Sequence, residues 1–498
     1  MTALPARLAA VMALDPEAPA LEFEGRWWTW GDLSSTAAEV DRLLAGVDLD
    51  AGAPVGLMLR NRPVALGAFL GLLRAGACVV TVNPLLGAER LRADVPTLGL
   101  PLLIGEPDDL ALLPPDVLPS TARGMLGLLG APIECAAAPD GRPAGSPAPG
   151  VAVRMLTSGT TGPPKRIDLR YEMLELVMRG AKHYETGTGN EVRLREGVVI
   201  VNAPLVHVSG VFRVVQAVLD GRRIALLERF TVDGWVDAVR EHQPKTVSLV
   251  PTALRMVFDA DVVPEVFDTI RSVVSGTAPL DPELADAFSE RYAVPVLVSY
   301  GATEFGGGVA GWNLADHEQF GAAKRGSVGR AHAGCDLRIV EPQRGAELAV
   351  DQVGLLEVRA AQLGTDEWVR TTDLARLDGD GFLWIVGRAD QTILRGGYKV
   401  QPEIVRAALE RDPGVVEAAV VGIDEPRLGA VPVAVVERRP GHEIDEESLL
   451  REAGRHLARY EVPAAVLVVD ELPRTASGKA DLAAVRAMFA HVSAAAEA

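Results

Sequence analysis

The chain has 498 residues, too many for one small hydrophobic core, and a prior of about 100–200 residues per domain divides it into roughly two to four units. With 48% hydrophobic and 23% charged residues it is neither disordered nor collagen-like, and a formal charge of -18 argues against a broad nucleic-acid surface and gives no support for docking to anionic lipid, while leaving room for a local basic groove that takes a nucleotide. Cys78, Cys135 and Cys335 are too few and too scattered to write a disulfide framework or a zinc site, which fits a reducing cytoplasm.

The first residues are interrupted by Pro5, Arg7 and Asp15 before a full apolar segment develops, so no signal peptide is expected there. A short strand is expected around Leu21 to Phe23. Thr29 then caps a helix that carries Leu33, Ala37, Val40 and Leu44 on one face. The run from Val64 to Val82 is apolar, but Gly67, Gly71, Arg74 and Gly76 break it, so it reads as a buried helix followed by a strand rather than a membrane span. Ala136 to Gly150, rich in Pro, Gly and Ala, reads as a surface connection.

That connection leads into L-T-S-G-T-T-G-P-P-K, Leu156 to Lys165. Gly159 and Gly162 let backbone N–H groups approach an anion closely. Thr157, Ser158, Thr160 and Thr161 add hydroxyl donors, and Lys165 adds a charge. The segment lacks the four-residue gap of the common P-loop and its Ser/Thr after lysine, so a different nucleotide chemistry is implied. Composition alone also permits a polar surface turn.

From about residue 197 short apolar runs alternate with helical patterns, as a parallel sheet requires: Val198 to Asn202, Thr246 to Val250, Ser272 to Ser275 and Val294 to Tyr300. Each ends in a polar or glycine-bearing loop, Pro204 to His207, Pro251 to Thr252, Gly276 to Pro279 and Gly301 to Glu304. Ligands of open α/β sheets bind at the carboxyl ends of strands, so these loops are expected to converge on one crevice. After Gly387 the pattern changes to a smaller α+β unit. The expected architecture is α/β, with a large N-terminal domain of mostly parallel sheets covered by helices, residues 1–388, and a small mobile α+β C-terminal domain, residues 389–498.

Four ordered motifs now stand together: the 156–165 loop, Tyr300-Gly301-Ala302-Thr303-Glu304, Thr371-Thr372-Asp373 with Gly387-Arg388-Ala389-Asp390, and Pro473-Arg474-Thr475-Ala476-Ser477-Gly478-Lys479. This set resembles the ANL superfamily of adenylate-forming enzymes, in its acyl-CoA ligase branch, over nearly the whole chain. The resemblance implies two half-reactions. A carboxylate attacks the α-phosphate of ATP to give an acyl adenylate and pyrophosphate; a thiol then takes the acyl group and releases AMP.

By the same resemblance, Thr157, Ser158, Gly159, Thr160, Thr161, Gly162 and Lys165 hold the β- and γ-phosphates. Tyr300 stacks on adenine, with Ser275, Gly276, Thr277 and Ala278 along its edge. Thr303 bonds the α-phosphate, Glu304 ligates Mg²⁺, and Asp373 accepts the ribose hydroxyls beside Arg388. Lys479 neutralises charge where the carboxylate meets the α-phosphate. His207 stands between acyl pocket and phosphate, Asp390 is the hinge of the C-terminal domain, and Gly397 borders the pantetheine tunnel of coenzyme A. The acyl pocket is expected from His207, Val208, Gly210, Val211, Gly301, Phe305, Gly306, Gly307 and Gly308. The other histidines have no metal-ligand spacing.

Some positions depart from the pattern. Arg166 and Thr372 stand where glycine is usual, Ala331 where proline is, and Leu394 where lysine often is. Either these are neutral, or the ATP half-reaction is weak and the chain works mainly on a supplied adenylate. Val208 to Phe212 offers no aspartate for a substrate ammonium, so an acid without an α-amino group is expected. The small residues after Phe305 leave room for a bulky apolar acid, or they serve a backbone bend. Arg213 reads as a helix-surface residue or as a partner for a second carboxylate. The expected function is an acyl-CoA ligase using ATP, Mg²⁺ and coenzyme A. The competing readings are a stand-alone adenylation enzyme that loads a carrier protein and a silent binding protein of the same fold. A homodimer is left open.

Overall fold

A strand covered on both faces must be apolar at every position, and Pro54–Met58, Cys78–Val82 and Leu102–Gly105 are buried along their whole length. They pair in parallel at the middle of a seven-stranded sheet whose edge strands, Glu134–Ala136 and Lys165–Arg170, run antiparallel. The computed structural model describes residues 3–49, 52–138, 147–157, 165–181, 191–475 and 479–495. Ser158, Gly159, Thr160, Thr161 and Gly162 lie outside the described residues, as do the side chains of Thr157 and Lys165 and residues 476–478.

The apolar run at 64–82 is a helix followed by a strand. Pro63–Arg74 is buried at every position up to Leu73, and Cys78–Val82 follows after a turn through Gly76 at φ +74°. Among the described residues no helix is long and apolar enough to cross a membrane. The helix Trp30–Gly46 begins at Thr29 with reciprocal bonds. Asp32 N–H donates to Thr29 Oγ1 at 3.2 Å and Thr29 N–H donates to Asp32 Oδ2 at 2.8 Å. Its buried face carries Leu33, Ala37, Val40 and Leu44.

A second sheet sets Arg195–Val201, Arg222–Leu226 and Pro19–Phe23 in parallel, with Arg26–Thr29 antiparallel at its edge. In a third, Thr246–Ser248, Ser272–Ser275 and Val296–Ala302 are parallel and continue into antiparallel Gly307–Gly311 and Arg330–Ala331. The strand expected at 294–300 starts instead after Pro295, which has no N–H to give the ladder, and runs on through Gly301. The strand expected at 246–250 stops at Ser248, because Val250 already caps the helix Pro251–Asp259.

An antiparallel sheet of Cys335–Val340, Gly354–Ala360, Val369–Leu377 and Leu383–Arg388 completes the large N-terminal part. Beyond it, the long hairpin of Val415–Glu425 and Gly429–Arg438 is flanked by smaller strands and three helices. Two apolar clusters, drawn only from residues after 392, fill its two faces. The molecule is thus a large α/β domain followed by a small α+β one.

Removing a side-chain cap typically costs about 1 kcal/mol. Thr29→Ala is therefore expected to shift the first transition in urea by about that amount, with kinetic constants for nucleotide unchanged in the folded enzyme.

Candidate active site

The loops that leave the carboxyl ends of the parallel strands do converge. Residues from 202–207, 250–252, 276–279 and 301–304 line one crevice of about 3440 Å³, and Asp373, Arg388 and Lys479 line the same space.

Asp373 is set by its own strand. Its N–H donates to Thr371 Oγ1 at 3.0 Å, and that hydroxyl donates to the Leu356 carbonyl at 2.9 Å. Across the ladder Asp373 faces Arg388, and from the neighbouring sheet the Tyr300 hydroxyl donates to its carboxylate. Arg388 in turn forks onto Asp390, at 2.9 and 2.7 Å. Burial drives the Tyr300 phenol well above its ordinary pKa, and the Asp373 charge adds to the rise. Burial also pushes Asp373 up, opposed by the Tyr300 bond and the Arg388 charge. The bond to Asp390 raises Arg388.

Lys479 comes from the C-terminal domain, on a turn clamped to that domain's sheet. Arg474 reaches Glu417 at 2.7 Å and Glu437 at 2.9 Å, and Thr475 N–H donates to the Lys479 carbonyl at 2.7 Å. Part of the lysine stays open to solvent, yet it projects into the crevice between the domains. Partial desolvation and the Arg388 charge lower its pKa, while Glu304 and Asp373 pull the other way. Arg439 pairs with Asp259 at 2.7 Å and Arg411 with Glu283 at 3.1 Å, both across the domain junction.

His207 sits on a turn, its N–H donating to the Pro204 carbonyl at 3.0 Å, immediately before the helix Val208–Leu219. Gly210 lets that helix pack beneath the turn, since a Cβ there would lie 2.2 Å from the Pro204 carbonyl oxygen. Asn61 ties the turn to the sheet. Its amide donates to the Ala203 and Leu227 carbonyls, both at 3.0 Å, and its side-chain oxygen accepts from Leu205 N–H at 2.8 Å. Nothing around Asn61 in the sequence marks this positioning role, because all three partners lie more than a hundred residues away.

Ser275 ends its strand fully buried, and Gly276 turns over Ser299, whose Oγ would lie 2.7 Å from a Cβ. Thr277 follows at φ +73°, a strained conformation for a β-branched residue on the crevice wall. Thr303 and Glu304 occupy a single turn of 3₁₀ helix whose third residue, Phe305, anchors it in the core at 2% exposure.

Of the expected acyl-pocket residues, His207, Val208, Gly301, Gly307 and Gly308 line the crevice. Gly210, Val211, Phe305 and Gly306 are buried behind it. Arg213 lines it too. The glycines do not leave empty volume. A Cβ on Gly301 would lie 2.3 Å from the Gly307 carbonyl oxygen, and one on Gly306 2.1 Å from Met173 Sδ. Close packing of backbone and neighbours explains these two glycines. Gly397, at φ +88°, stands open on the C-terminal domain, away from the crevice wall, and Leu394 beside it is exposed.

Arg166 is half-way between surface and core, held by Asp94 and reaching the Thr81 carbonyl at 3.5 Å. Thr372 points outward from its strand, and Ala331 is exposed at the end of the short strand opposite Ala310. Among the described residues no group of three or more His, Cys, Asp or Glu side chains is arranged to hold a metal.

Residues 8–365 match the family model of AMP-binding enzymes, and residues 405–479 match the model of the AMP-binding enzyme C-terminal domain. The chain belongs to the AMP-binding enzyme family. As a member of this adenylate-forming family in the ANL superfamily, it is an ATP-dependent, AMP-forming acid–thiol ligase of the acyl-CoA ligase kind. It is 27% identical to the 2-succinylbenzoate–CoA ligase of Bacillus pumilus over 486 residues, covering 93% of this chain and 94% of that enzyme. It is 30% identical to the sulfoacetate–CoA ligase of Cupriavidus necator over 483 residues, 91% of each chain. The ATP-bound crystal structure of MatB from Rhodopseudomonas palustris superposes with a TM-score of 0.82 at 25% identity, covering 99% of this chain and all of that one.

Because the fold raises the pKa of Asp373, it disfavours the ionised form, so this group costs stability as pH rises above the ordinary carboxylate range. Asp373→Asn keeps an acceptor for Tyr300 and removes the buried charge. Its ligand-free melting temperature is expected to exceed that of the wild type at pH 7, and the gap to close toward pH 3.

Proposed function

We propose that this chain is an acyl-CoA ligase that activates a mainly apolar carboxylic acid without an α-amino group, such as an aryl or alicyclic acid, through acyl-AMP; with the space beside Gly301 and Gly306 filled, the glycines give no support for a bulky acid. The observation that carries this reading is the meeting of Lys479 with Glu304, Asp373 and Arg388 in one crevice that His207 also lines. Two domains supply the two sides of one reaction site. The absence of an acidic residue between Val208 and Phe212, on the crevice side of the helix, supports an acid with no ammonium group.

In the first half-reaction the substrate carboxylate oxygen forms a bond to the α-phosphorus as the bond to pyrophosphate breaks. Thr157, Ser158, Gly159, Thr160, Thr161, Gly162 and Lys165 hold the leaving phosphates, Thr303 bonds the α-phosphate, and Asp373 and Arg388 hold the ribose. Tyr300 gives adenine a stacking face, with Ser275, Gly276, Thr277 and Ala278 along its edge. Lys479 offsets the charge concentrated where the two anions meet; desolvation and the Arg388 charge lower its pKa, and Glu304 and Asp373 act to keep the ammonium. Glu304 is the carboxylate that would hold Mg²⁺, a hard ion suited to carboxylate and phosphate oxygens.

In the second half-reaction the thiol sulfur bonds to the acyl carbon and AMP leaves. Gly397 faces open space while Lys479 faces the crevice, which supports a rotation of residues 389–498 about Asp390 before the thiol enters. We place the domain boundary between Arg388 and Ala389 and the enzyme in the cytoplasm. Arg166, one reason to suspect a weak ATP half-reaction, is engaged by Asp94, so the complete two-step reaction is the better reading.

Pyrophosphate and AMP release is to be measured with ATP and Mg²⁺ across aryl, alicyclic, polycyclic and fatty acids, with and without coenzyme A. Acid-dependent pyrophosphate and coenzyme-A-dependent AMP turnover are expected. Thioester formed only from a synthetic acyl adenylate would restrict the enzyme to the second step, and transfer only to a carrier protein would favour a stand-alone adenylation enzyme.

A further inference from the structure

The strand Gly307–Gly311 reads G-G-V-A-G, and its two central side chains are buried in the core, so the crevice wall along it is built by neighbours. A Cβ on Gly307 would touch Phe212 Cζ at 3.4 Å and Val177 Cγ1 at 3.5 Å. On the adjacent positions the neighbour is a histidine. A Cβ on Gly308 would lie 3.1 Å from His332 Cε1, and one on Gly311 2.6 Å from His332 Nε2. The imidazole therefore occupies the volume that side chains at 308 and 311 would fill.

His332 is held there from both directions. Its backbone N–H donates to the Val309 carbonyl and its carbonyl accepts from Cys335 N–H, both at 2.9 Å, and the imidazole bonds the Gly308 backbone. Burial lowers the ring's pKa from the ordinary histidine value against the smaller effect of that bond, which favours the neutral form. The ring lines the same crevice as Phe212, Val177, Gly307 and Gly308, and Gly307 and Gly308 are among the residues expected to form the acyl pocket.

We propose that His332 is a specificity-determining residue that closes the acyl end of the crevice and restricts the acid to a compact, single-ring size. The inference rests on the acyl-CoA ligase reading. An acid that extends past Gly308 meets the imidazole, while Phe212 and Val177 bound the wall beside Gly307. Glycine at 308 and 311 is what lets a residue from a different segment set this limit. Packing interiors leave little slack, so one ring's worth of side chain decides which acids enter.

The test compares wild type with His332→Ala, His332→Gln and His332→Trp on benzoate, 4-phenylbenzoate and 5-phenylpentanoate, each as kcat/KM for thioester formation. The wild type should favour benzoate. His332→Ala should raise the ratio of 4-phenylbenzoate to benzoate by roughly tenfold or more, mainly through KM, as expected for pocket discrimination by apolar volume. His332→Gln, of similar length, should keep the wild-type ratio, and His332→Trp should lower it. The KM for ATP reports an intact nucleotide site in each variant. If His332→Ala does not fold, the His332→Gln and His332→Trp pair decides. Equal ratios across the folded variants, or a wild type that already favours the two longer acids, overturn the assignment. A wild type that forms thioester from none of a wide acid panel overturns the ligase reading and this inference with it.

Discussion

A half-buried carboxylate at a domain junction sets the terms for everything around it. Asp373 would be costly alone, since taking an unpaired charge out of water costs several kcal/mol, roughly. Tyr300 donates to it, Arg388 faces it across the ladder, and Asp390 steadies Arg388 from two residues on. The chain of contacts therefore runs from the third sheet of the large domain to the first turn beyond it. The same groups shape the field that Lys479 enters from the small domain.

Outside this cluster the domain junction carries ion pairs of modest strength. The junction pairs Arg411–Glu283 and Arg439–Asp259 are partly solvated, and such pairs contribute about 0–1 kcal/mol each. The C-terminal domain keeps its own two-faced core, as the proposed rotation about Asp390 requires. In the proposed reaction a site assembled from two such bodies would complete its charges only when they meet.

Much of this was legible in the sequence because it is local. Thr29 and Asp32 are three residues apart, unbroken apolar runs make buried parallel strands, and polar loops follow their carboxyl ends. The nearness of Asp373 to Arg388 follows from a hairpin between two short motifs. What could not be read depends on distant partners. Asn61 reaches a turn more than a hundred residues on, Arg166 is engaged by Asp94, and the space beside the glycines at 301 and 306 is taken by a carbonyl and by Met173. A run of glycines states only that side chains are missing; the fold decides what fills the gap. His332 is the clearest case, a residue with no motif that borders the pocket because two glycines lie beneath it.

The central claim is that Lys479 completes the site for adenylate formation alone. The direct measurement is a comparison of Lys479→Ala with wild type in two assays, acid-dependent exchange of pyrophosphate into ATP and thioester formation from a synthetic acyl adenylate. The account predicts that exchange falls by about 10²–10³-fold while the thioester step keeps its rate. Equal losses in both, or an unaffected exchange, would contradict it.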